Sequence, residues 1–146
     1  MKTVKEIMSK DCITVTLQDN VYEIAVKMKE HDIGFIPVVD GKKLIGVVTD
    51  RDLVVRGYAE KREGSTAVQQ VISKNITSIP SSTTVDEAAQ IMAKDKVRRL
   101  PVVDNGELVG IIAIGDLAVR DASENEAGEA LGKISQKGKN LVGSTK

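Results

Sequence analysis

Apolar residues recur at helical spacing in two stretches of the chain, at positions 21–28 and 85–92. Apolar positions three and four residues apart form one face of a helix, so each stretch predicts an amphipathic helix. A polar residue precedes each stretch, with a glutamate three positions later, which is the pattern of a capping box. The two pairs are Asn20 with Glu23 and Thr84 with Glu87. Both helices are therefore expected to begin at a defined residue.

Two short apolar runs follow the first predicted helix, Ile36 to Val39 and Leu44 to Val48. Turn residues separate them, so the pair predicts a β-hairpin. The second half of the chain repeats the pattern around Asp104-Asn105-Gly106-Glu107. A second helix is predicted after each hairpin, and a short extended segment before each first helix. These helices run from Asp52 to about Tyr58 and from Asp116 to about Asp121, and the extended segments are 13–16 and 77–79.

The two halves are copies of one structural unit with the order strand, helix, strand, strand, helix. Matching residues stand 64 positions apart: Met28 and Met92, Pro37 and Pro101, Gly46 and Gly110, Asp52 and Asp116. A repeat of this length is a supersecondary unit whose apolar face is completed by its twin. The sequence therefore predicts an α/β protein whose function lies between the copies.

The chain has 146 residues, which fits one domain built from two repeats. A polar stretch separates the copies, and the spacing of Ser123 and Glu126 indicates one more helix start before a basic, glycine-containing end. The predicted segments are repeat 1 at 1–59, a linker at 60–66, repeat 2 at 67–122, a C-terminal helix at 123–136 and a flexible tail at 137–146.

Composition excludes several classes of function. The 21 basic and 21 acidic residues balance, so no overall field attracts nucleic acid or an anionic membrane. The three aromatic residues are too few for a platform that stacks single-stranded nucleic acid. A single cysteine excludes an intramolecular disulfide, and no apolar run predicts a signal peptide or a membrane span. We therefore expect a cytoplasmic protein.

Two motifs occur in both copies. One is an apolar residue followed by Pro-Val-Val-Asp, at 36–40 and 100–104, and the other is a glycine that leads to Asp-Leu, at 46–53 and 110–117. In these motifs, each copy resembles the cystathionine-β-synthase (CBS) domain family. The resemblance extends over roughly Val4 to Asp121. It implies a Bateman module, in which two CBS repeats pack about a pseudo-twofold axis. Such modules bind AMP, ADP, ATP or S-adenosylmethionine in two clefts between the repeats, regulate an enzyme or channel, and pair into homodimers.

Thr49 and Asp52 carry the chemistry that nucleotide binding needs. A carboxylate in the first turn of a helix can accept bonds from both ribose hydroxyls, while a hydroxyl three residues earlier and free helix N–H groups can donate to phosphate. The same pair also fits a plain capping box. The second copy keeps Asp116 but has Ala113 in place of the hydroxyl. We therefore expect Asp52 to bind ligand, and both interpretations stay open for Asp116.

The resemblance places each aspartate-bearing turn opposite the extended segment of the other copy. Backbone groups of that segment would contact the adenine edge, and apolar side chains would form the walls. One set is Val47, Thr49, Arg51 and Asp52 with Ile76, Thr77, Ser78 and Val97. The other is Ile111 and Asp116 with Ile13, Thr14 and Ile33. The alternative for the apolar members is plain core packing.

Arg98 and Arg99 break the internal symmetry, because Gly34 and Phe35 stand at the matching positions. Guanidinium groups at this place could donate to phosphate oxygens. Neighbouring strand residues face opposite ways, so we expect one of the pair to contact a given ligand, and family position favours Arg98. The alternative is a solvated, charged strand end.

No enzyme is predicted. The only histidine, His31, has no second histidine or cysteine spaced for a metal site or a nucleophile pair. Neither a Walker-type phosphate loop nor a dinucleotide-binding glycine motif occurs.

The sequence and the resemblance together predict a regulatory sensor of adenine nucleotides that requires no cofactor. It would form a homodimer, signal to an unidentified protein effector, and contact neither membrane nor nucleic acid. Two alternatives stay open. One is a constitutive assembly module with vestigial clefts, and the other is a sensor of S-adenosylmethionine.

Overall fold

A computed structural model describes residues 2–121, with side chains up to residue 117. The predicted helix at 123–136 and the tail at 137–146 lie outside the described residues. The elements are α1 (Val21–His31), β1 (Phe35–Asp40), β2 (Lys43–Thr49), α2 (Asp50–Asp52), α3 (Val85–Asp95), β3 (Arg99–Asp104), β4 (Glu107–Ala113) and α4 (Ile114–Asp121). The mixed α/β class predicted from the sequence is confirmed.

Both long helices begin at the predicted capping boxes. The side chains of Asn20 and Glu23 bond reciprocally to backbone N–H groups at the start of α1, and Thr84 and Glu87 do the same at α3. Each helix ends at a residue in the left-handed conformation, Asp32 at φ 51° and Lys96 at φ 56°. That conformation stops the helix, because the backbone turns away from the helical path.

The second helix of each copy starts earlier than predicted. α2 begins at Asp50, and the chain continues as a π-helical turn (Leu53–Gly57) and a 3-10 turn (Tyr58–Glu60). α4 begins at Ile114 rather than Asp116. In both cases the helix starts directly after a strand of the hairpin, so no loop separates the strand from the aspartate.

The segments predicted as leading strands are corrected to single bridges. Val15 pairs in parallel with Val38, and Ile79 with Val102. A turn in which the Asp19 N–H donates to the Thr16 carbonyl ends the first segment. Pro80 ends the second, because proline has no N–H to continue the pairing.

Two compact units account for the described residues. The first unit comprises residues 11–76 and 105–108, and the second comprises 2–10, 77–104 and 109–121. The repeat boundaries at 59 and 67 stay a prediction from the sequence. The units group the chain differently, because the segment that opens each sequence repeat, 2–10 or 67–76, belongs to the unit built from the other repeat.

Each unit has its own apolar core. The first consists of Val15, Ile24, Met28, Ile36, Val38, Val48, Val68, Val71 and Ile72. The second consists of Val4, Ile79, Val85, Ala88, Met92, Leu100, Val102, Ile112 and Leu117. The opening segments supply residues to both cores: Val68, Val71 and Ile72 to the first, and Val4 to the second.

β1 and β2 are hydrogen-bonded neighbours, and so are β3 and β4. β1 and β2 form an antiparallel hairpin with an irregularity between Val38 and Val39. Within the first unit, β2 pairs with β4 at Lys43 and Glu107, and Leu44 N–H donates to the Gly106 carbonyl at 3.1 Å. Gly106 has φ 80° after Asn105 at φ 53°, which is the backbone that an Asn-Gly hairpin turn adopts.

Among residues 2–121, no helix has both the length and the apolar character to span a bilayer.

Candidate functional site

Thr49 and Asp52 form a reciprocal pair of hydrogen bonds where β2 passes into α2. The Asp52 N–H donates to Thr49 Oγ1 at 3.1 Å, and the Thr49 N–H donates to Asp52 Oδ2 at 2.9 Å. The capping box that the sequence allowed is therefore present. Both side chains are partly exposed. Capping holds Oδ2 of the carboxylate at the start of the helix without removing the group from solvent.

Ser73 contacts the same carboxylate from outside the turn. Its hydroxyl donates to Asp52 Oδ2 at 3.3 Å and to Oδ1 at 3.4 Å. Within the part of the chain that the structure describes, this long contact is the one hydrogen bond to Oδ1. Asp52 Oδ1 therefore keeps lone pairs that could accept a hydrogen bond from a ligand hydroxyl.

The backbone of Ser73 is paired with β2. The Ser73 N–H donates to the Val47 carbonyl at 2.8 Å, and the Val47 N–H donates to the Ser73 carbonyl at 2.9 Å. Gly46 allows this approach, because a Cβ there would lie 2.6 Å from the Ser73 carbonyl oxygen and 2.9 Å from the Ile72 side chain. Arg56 Nη1 also donates to the Ile72 carbonyl at 2.7 Å. Residues 72–73 are thus held against the strand that leads into the aspartate turn.

The second unit contains a matching turn at the end of β4. The Ala113 N–H donates to Asp116 Oδ2 at 3.2 Å, so the carboxylate half of the capping box persists. Ser9 pairs with Ile111 through two backbone bonds of 2.9 and 3.0 Å, as Ser73 pairs with Val47. The turns differ in the missing hydroxyl at Ala113. The persistence of Asp116 therefore has a local explanation as a helix cap.

The other predicted site residues are divided between the units. The first unit contains Ile13, Thr14, Ile33, Val47, Arg51 and Ile76, and the second contains Thr77, Ser78, Val97, Arg98, Arg99 and Ile111. Within the first unit, the structure brings Val47, Thr49 and Asp52 together around Ser73. The family-based grouping of residues from both copies at one ligand stays a prediction.

Several of these residues already have structural roles. Val47 is buried, and Ile33 and Val97 pack against the first and second cores respectively. The Thr14 carbonyl accepts a bond from Lys27 Nζ at 2.9 Å. The Thr77 hydroxyl donates to Asp95 Oδ2 at 2.8 Å. Core packing, the alternative stated for the apolar members, therefore accounts for part of the set.

The basic pair stands directly before and at the start of β3. The Arg98 side chain is exposed, and Arg99 is partly exposed. The Arg98 carbonyl accepts a bond from the Ile114 N–H at 2.8 Å, which ties this strand end to the beginning of α4. In the first unit, Gly34 accepts the equivalent bond from Asp50 at 3.0 Å. This bond uses the Arg98 carbonyl, and the exposed Arg98 side chain takes no part in it.

Ser73 was missed by the reasoning from sequence. Met8-Ser9-Lys10 and Ile72-Ser73-Lys74 stand 64 positions apart, so the internal repeat contained the signal. The clue was that the same serine occurs at the matching position of both copies. Ser73 reaches the Asp52 turn through its backbone pairing with Val47, and no local sequence pattern predicts that pairing.

The described residues hold no cluster of three or more histidine, cysteine, aspartate or glutamate side chains arranged for a metal ion. Burial and the neighbouring charge of Asp11 raise the pKa of the Cys12 thiol. A raised pKa lowers the thiolate fraction at neutral pH, so the thiol is a poor nucleophile there.

Comparison with known proteins agrees with this architecture. The CBS domain profile matches residues 4–57 and 68–122. The CBS domain-containing protein YhcV of Bacillus subtilis (strain 168) is 43% identical over 135 residues, covering 92% of this chain and 96% of YhcV.

Two solved structures with bound ligands are also similar. CBSX2 in complex with AMP is 29% identical with a TM-score of 0.73, covering 85% of this chain and 98% of that one. The CBS domain pair of protein MJ0100, in complex with 5′-methylthioadenosine and S-adenosyl-L-methionine, is 27% identical with a TM-score of 0.74, covering 86% and 99%. The repeat, the two aspartate turns and these matches together identify the chain as a member of the CBS-domain family, with two CBS domains.

Proposed function

We propose that this chain is a regulatory module that binds an adenosine-containing ligand, with Asp52 as the acceptor for the ribose hydroxyls. One observation carries the proposal: the Asp52 carboxylate is fixed by Thr49 and Ser73 and still offers Oδ1 at a partly exposed position. A fixed carboxylate accepts two hydroxyl bonds without first losing side-chain freedom on binding.

Similarity to ligand-bound relatives supports the class of ligand. CBSX2 has been solved with AMP, and the MJ0100 pair with 5′-methylthioadenosine and S-adenosyl-L-methionine. These ligands share an adenosine or 5′-thioadenosine core, and therefore a ribose with two hydroxyls. They differ in the charge of the tail. A ribose acceptor such as Asp52 suits all of them, so the tail must be distinguished by other residues.

The basic pair favours a phosphate tail. The Arg98 guanidinium is exposed, and planar guanidinium groups bind phosphate oxygens through paired donors. AMP, ADP or ATP is therefore our preferred ligand. S-adenosylmethionine, whose amino-acid carboxylate and sulfonium take the place of the phosphates, is the second candidate, and the MJ0100 complex is the observation that favours it.

The sensing role completes the proposal. The bound state would be passed to a protein effector, and the module would act in the cytoplasm as a homodimer without catalysing a reaction. A constitutive assembly module is the alternative from another class. The capping roles of Asp52 and Asp116 favour that alternative, because they explain both aspartates without any ligand.

A thermal-shift series with adenosine, AMP, ADP, ATP and S-adenosylmethionine tests this function. A ligand that binds the folded state at a hundredfold excess over its dissociation constant stabilises the fold by about 2.7 kcal/mol. We expect stabilisation to increase from adenosine to AMP, and the increase to be lost in Arg98→Ala. A flat response to every ligand would favour the assembly module. A response to S-adenosylmethionine alone that is unchanged in Arg98→Ala would show that the ligand is S-adenosylmethionine and not a nucleotide with a phosphate tail.

A further inference from the structure

Ser73 stands at the meeting point of three contacts in the first unit. Its N–H and carbonyl pair with Val47, its carbonyl oxygen lies against Gly46, and its hydroxyl reaches both oxygens of Asp52. The two backbone bonds to Val47 fix the position of the Ser73 Cα, from which the side chain extends toward Asp52. The Oγ–Oδ distances of 3.3 and 3.4 Å are nearly equal, so the hydroxyl lies almost evenly beside both carboxylate oxygens.

We propose that Ser73 is a positioning residue for ligand binding: its hydroxyl holds the Asp52 carboxylate in the orientation that accepts the ribose hydroxyls. The inference rests on the proposed function and extends it to a residue 21 positions after the aspartate. It also means that the segment opening the second sequence repeat completes the binding turn of the first.

The geometry separates this role from capping. Thr49 N–H reaches Oδ2 alone, so the capping bond fixes one oxygen and leaves the carboxylate able to rotate about it. Ser73 contacts Oδ1 as well and opposes that rotation. A bidentate ribose contact needs both oxygens in defined places, because two hydroxyl donors must be met at once.

The experiment compares Ser73→Ala, Ser73→Thr and the matched control Ser65→Ala, which removes a hydroxyl from an exposed linker position of the same unit. The backbone bonds to Val47 do not depend on the side chain, so the fold should survive each change. Titration with AMP and with 2′-deoxy-AMP is followed by NMR at the Thr49 and Asp52 amides, which both donate hydrogen bonds within this turn. Hydrogen exchange of the Thr49 amide is measured without ligand.

Ser73→Ala should weaken AMP binding about fivefold, which corresponds to one ordinary hydrogen bond. It should weaken 2′-deoxy-AMP binding less, so the preference for the ribose falls. The Thr49 amide should exchange faster, since its acceptor is less well held. Ser73→Thr should restore all three values, and Ser65→Ala should match the wild type.

The proposal is overturned if Ser73→Ala matches Ser65→Ala in AMP affinity and in Thr49 exchange while the wild type binds AMP. It is also overturned if Ser73→Thr fails to restore the ribose preference. If the wild type shows no response to any adenosine ligand, the proposed function fails. Unchanged Thr49 exchange in Ser73→Ala would then refute the holding contact as well, and faster exchange would uphold it.

Discussion

Ser73 and Val47 exchange two backbone hydrogen bonds, at 2.8 and 2.9 Å, although 26 positions of sequence separate them. The pair joins the segment that opens the second repeat to the strand that leads into the Asp52 turn of the first. Gly46 lies beside this pair and admits it, because a side chain there would collide with the Ser73 carbonyl. The stability of the turn therefore depends on a glycine outside it.

Gly46→Ala should destabilise the protein by about 1 to 3 kcal/mol, the usual cost of inserting a methyl group into a packed site. Its Cβ would meet a backbone oxygen at 2.6 Å, which cannot move without breaking the Val47 pairing. Gly110→Ala is the matched control, because its nearest neighbour, also at 2.6 Å, is the flexible Met8 side chain, and the nearest backbone oxygen, that of Ser9, lies farther away at 3.0 Å. Urea denaturation of both variants measures the difference. A smaller loss for Gly46→Ala than for Gly110→Ala would show that the backbone contact is not the constraint.

Ala113→Ser should make the second turn more like the first. The new hydroxyl can accept a bond from the Asp116 N–H and complete the capping box, which is worth about 0.5 to 2 kcal/mol of stability. It should also strengthen ligand binding at Asp116 by about 1 kcal/mol, the net value of one hydrogen bond.

In the wild type, calorimetry should show unequal affinities at the Asp52 and Asp116 sites, or a single site. Two equal and independent wild-type sites would contradict the asymmetry.

The Cys12 thiol should react slowly at neutral pH. Burial, and then the charge of Asp11, raise its pKa, so the thiolate fraction at a given pH is below that of an exposed cysteine. Alkylation by iodoacetamide should therefore be slower in the folded protein than in urea, and should accelerate as the pH rises. Asp11→Asn should increase the rate at fixed pH. Equal rates for folded and unfolded protein would mean that the thiol is not shielded.

Asp104 should make the protein more sensitive to acid through its contact with Ser81. Hydrogen bonds from the Ser81 hydroxyl at 2.6 Å and the Ser81 N–H at 2.9 Å, with a contribution from Lys5, lower the pKa of Asp104. Because the folded pKa lies below the unfolded one, the stabilisation is complete above the unfolded pKa and is lost as pH falls through the folded pKa.

Ser81→Ala should raise the pKa of Asp104 toward its ordinary value, as measured by an NMR titration of the carboxyl carbon. The stability difference between variant and wild type should be largest near neutral pH and should shrink in acid. Ser82→Ala, an exposed neighbour, is the control. A difference that grows as the pH falls would have the wrong sign for this mechanism.

Local signals in the sequence predicted the local elements well. The capping pairs Asn20–Glu23 and Thr84–Glu87 mark the observed helix starts, because a cap depends on residues within one turn. The Asn105-Gly106 turn was predicted for the same reason, since the two residues determine its backbone.

The leading strands were predicted too long because two local stop signals were not used. The turn at Thr16 and the proline at 80 end these segments, and each forms a single bridge.

Features that depend on distant parts of the chain could not be predicted from the sequence. The grouping of segments 2–10 and 67–76 into the units follows from pairings such as Ser9 with Ile111, which sequence spacing does not encode. Asp52 was proposed as a ligand-binding residue from its turn and its repeat, and that role stays a prediction. Ser73, whose hydroxyl contacts the Asp52 carboxylate, became visible only with the fold.

A calorimetric titration of AMP into wild type, Asp52→Ala and Asp52→Asn tests the central claim most directly. Asparagine keeps an oxygen that can accept the Thr49 and Ser73 bonds, so it preserves the cap while removing the charge and one ribose acceptor. Hydrogen bonds to a charged group are worth about 1.5 to 3 kcal/mol each, so both variants should bind AMP at least tenfold more weakly than wild type. Unchanged affinity in a folded Asp52→Asn protein would contradict the account and leave Asp52 as a helix cap.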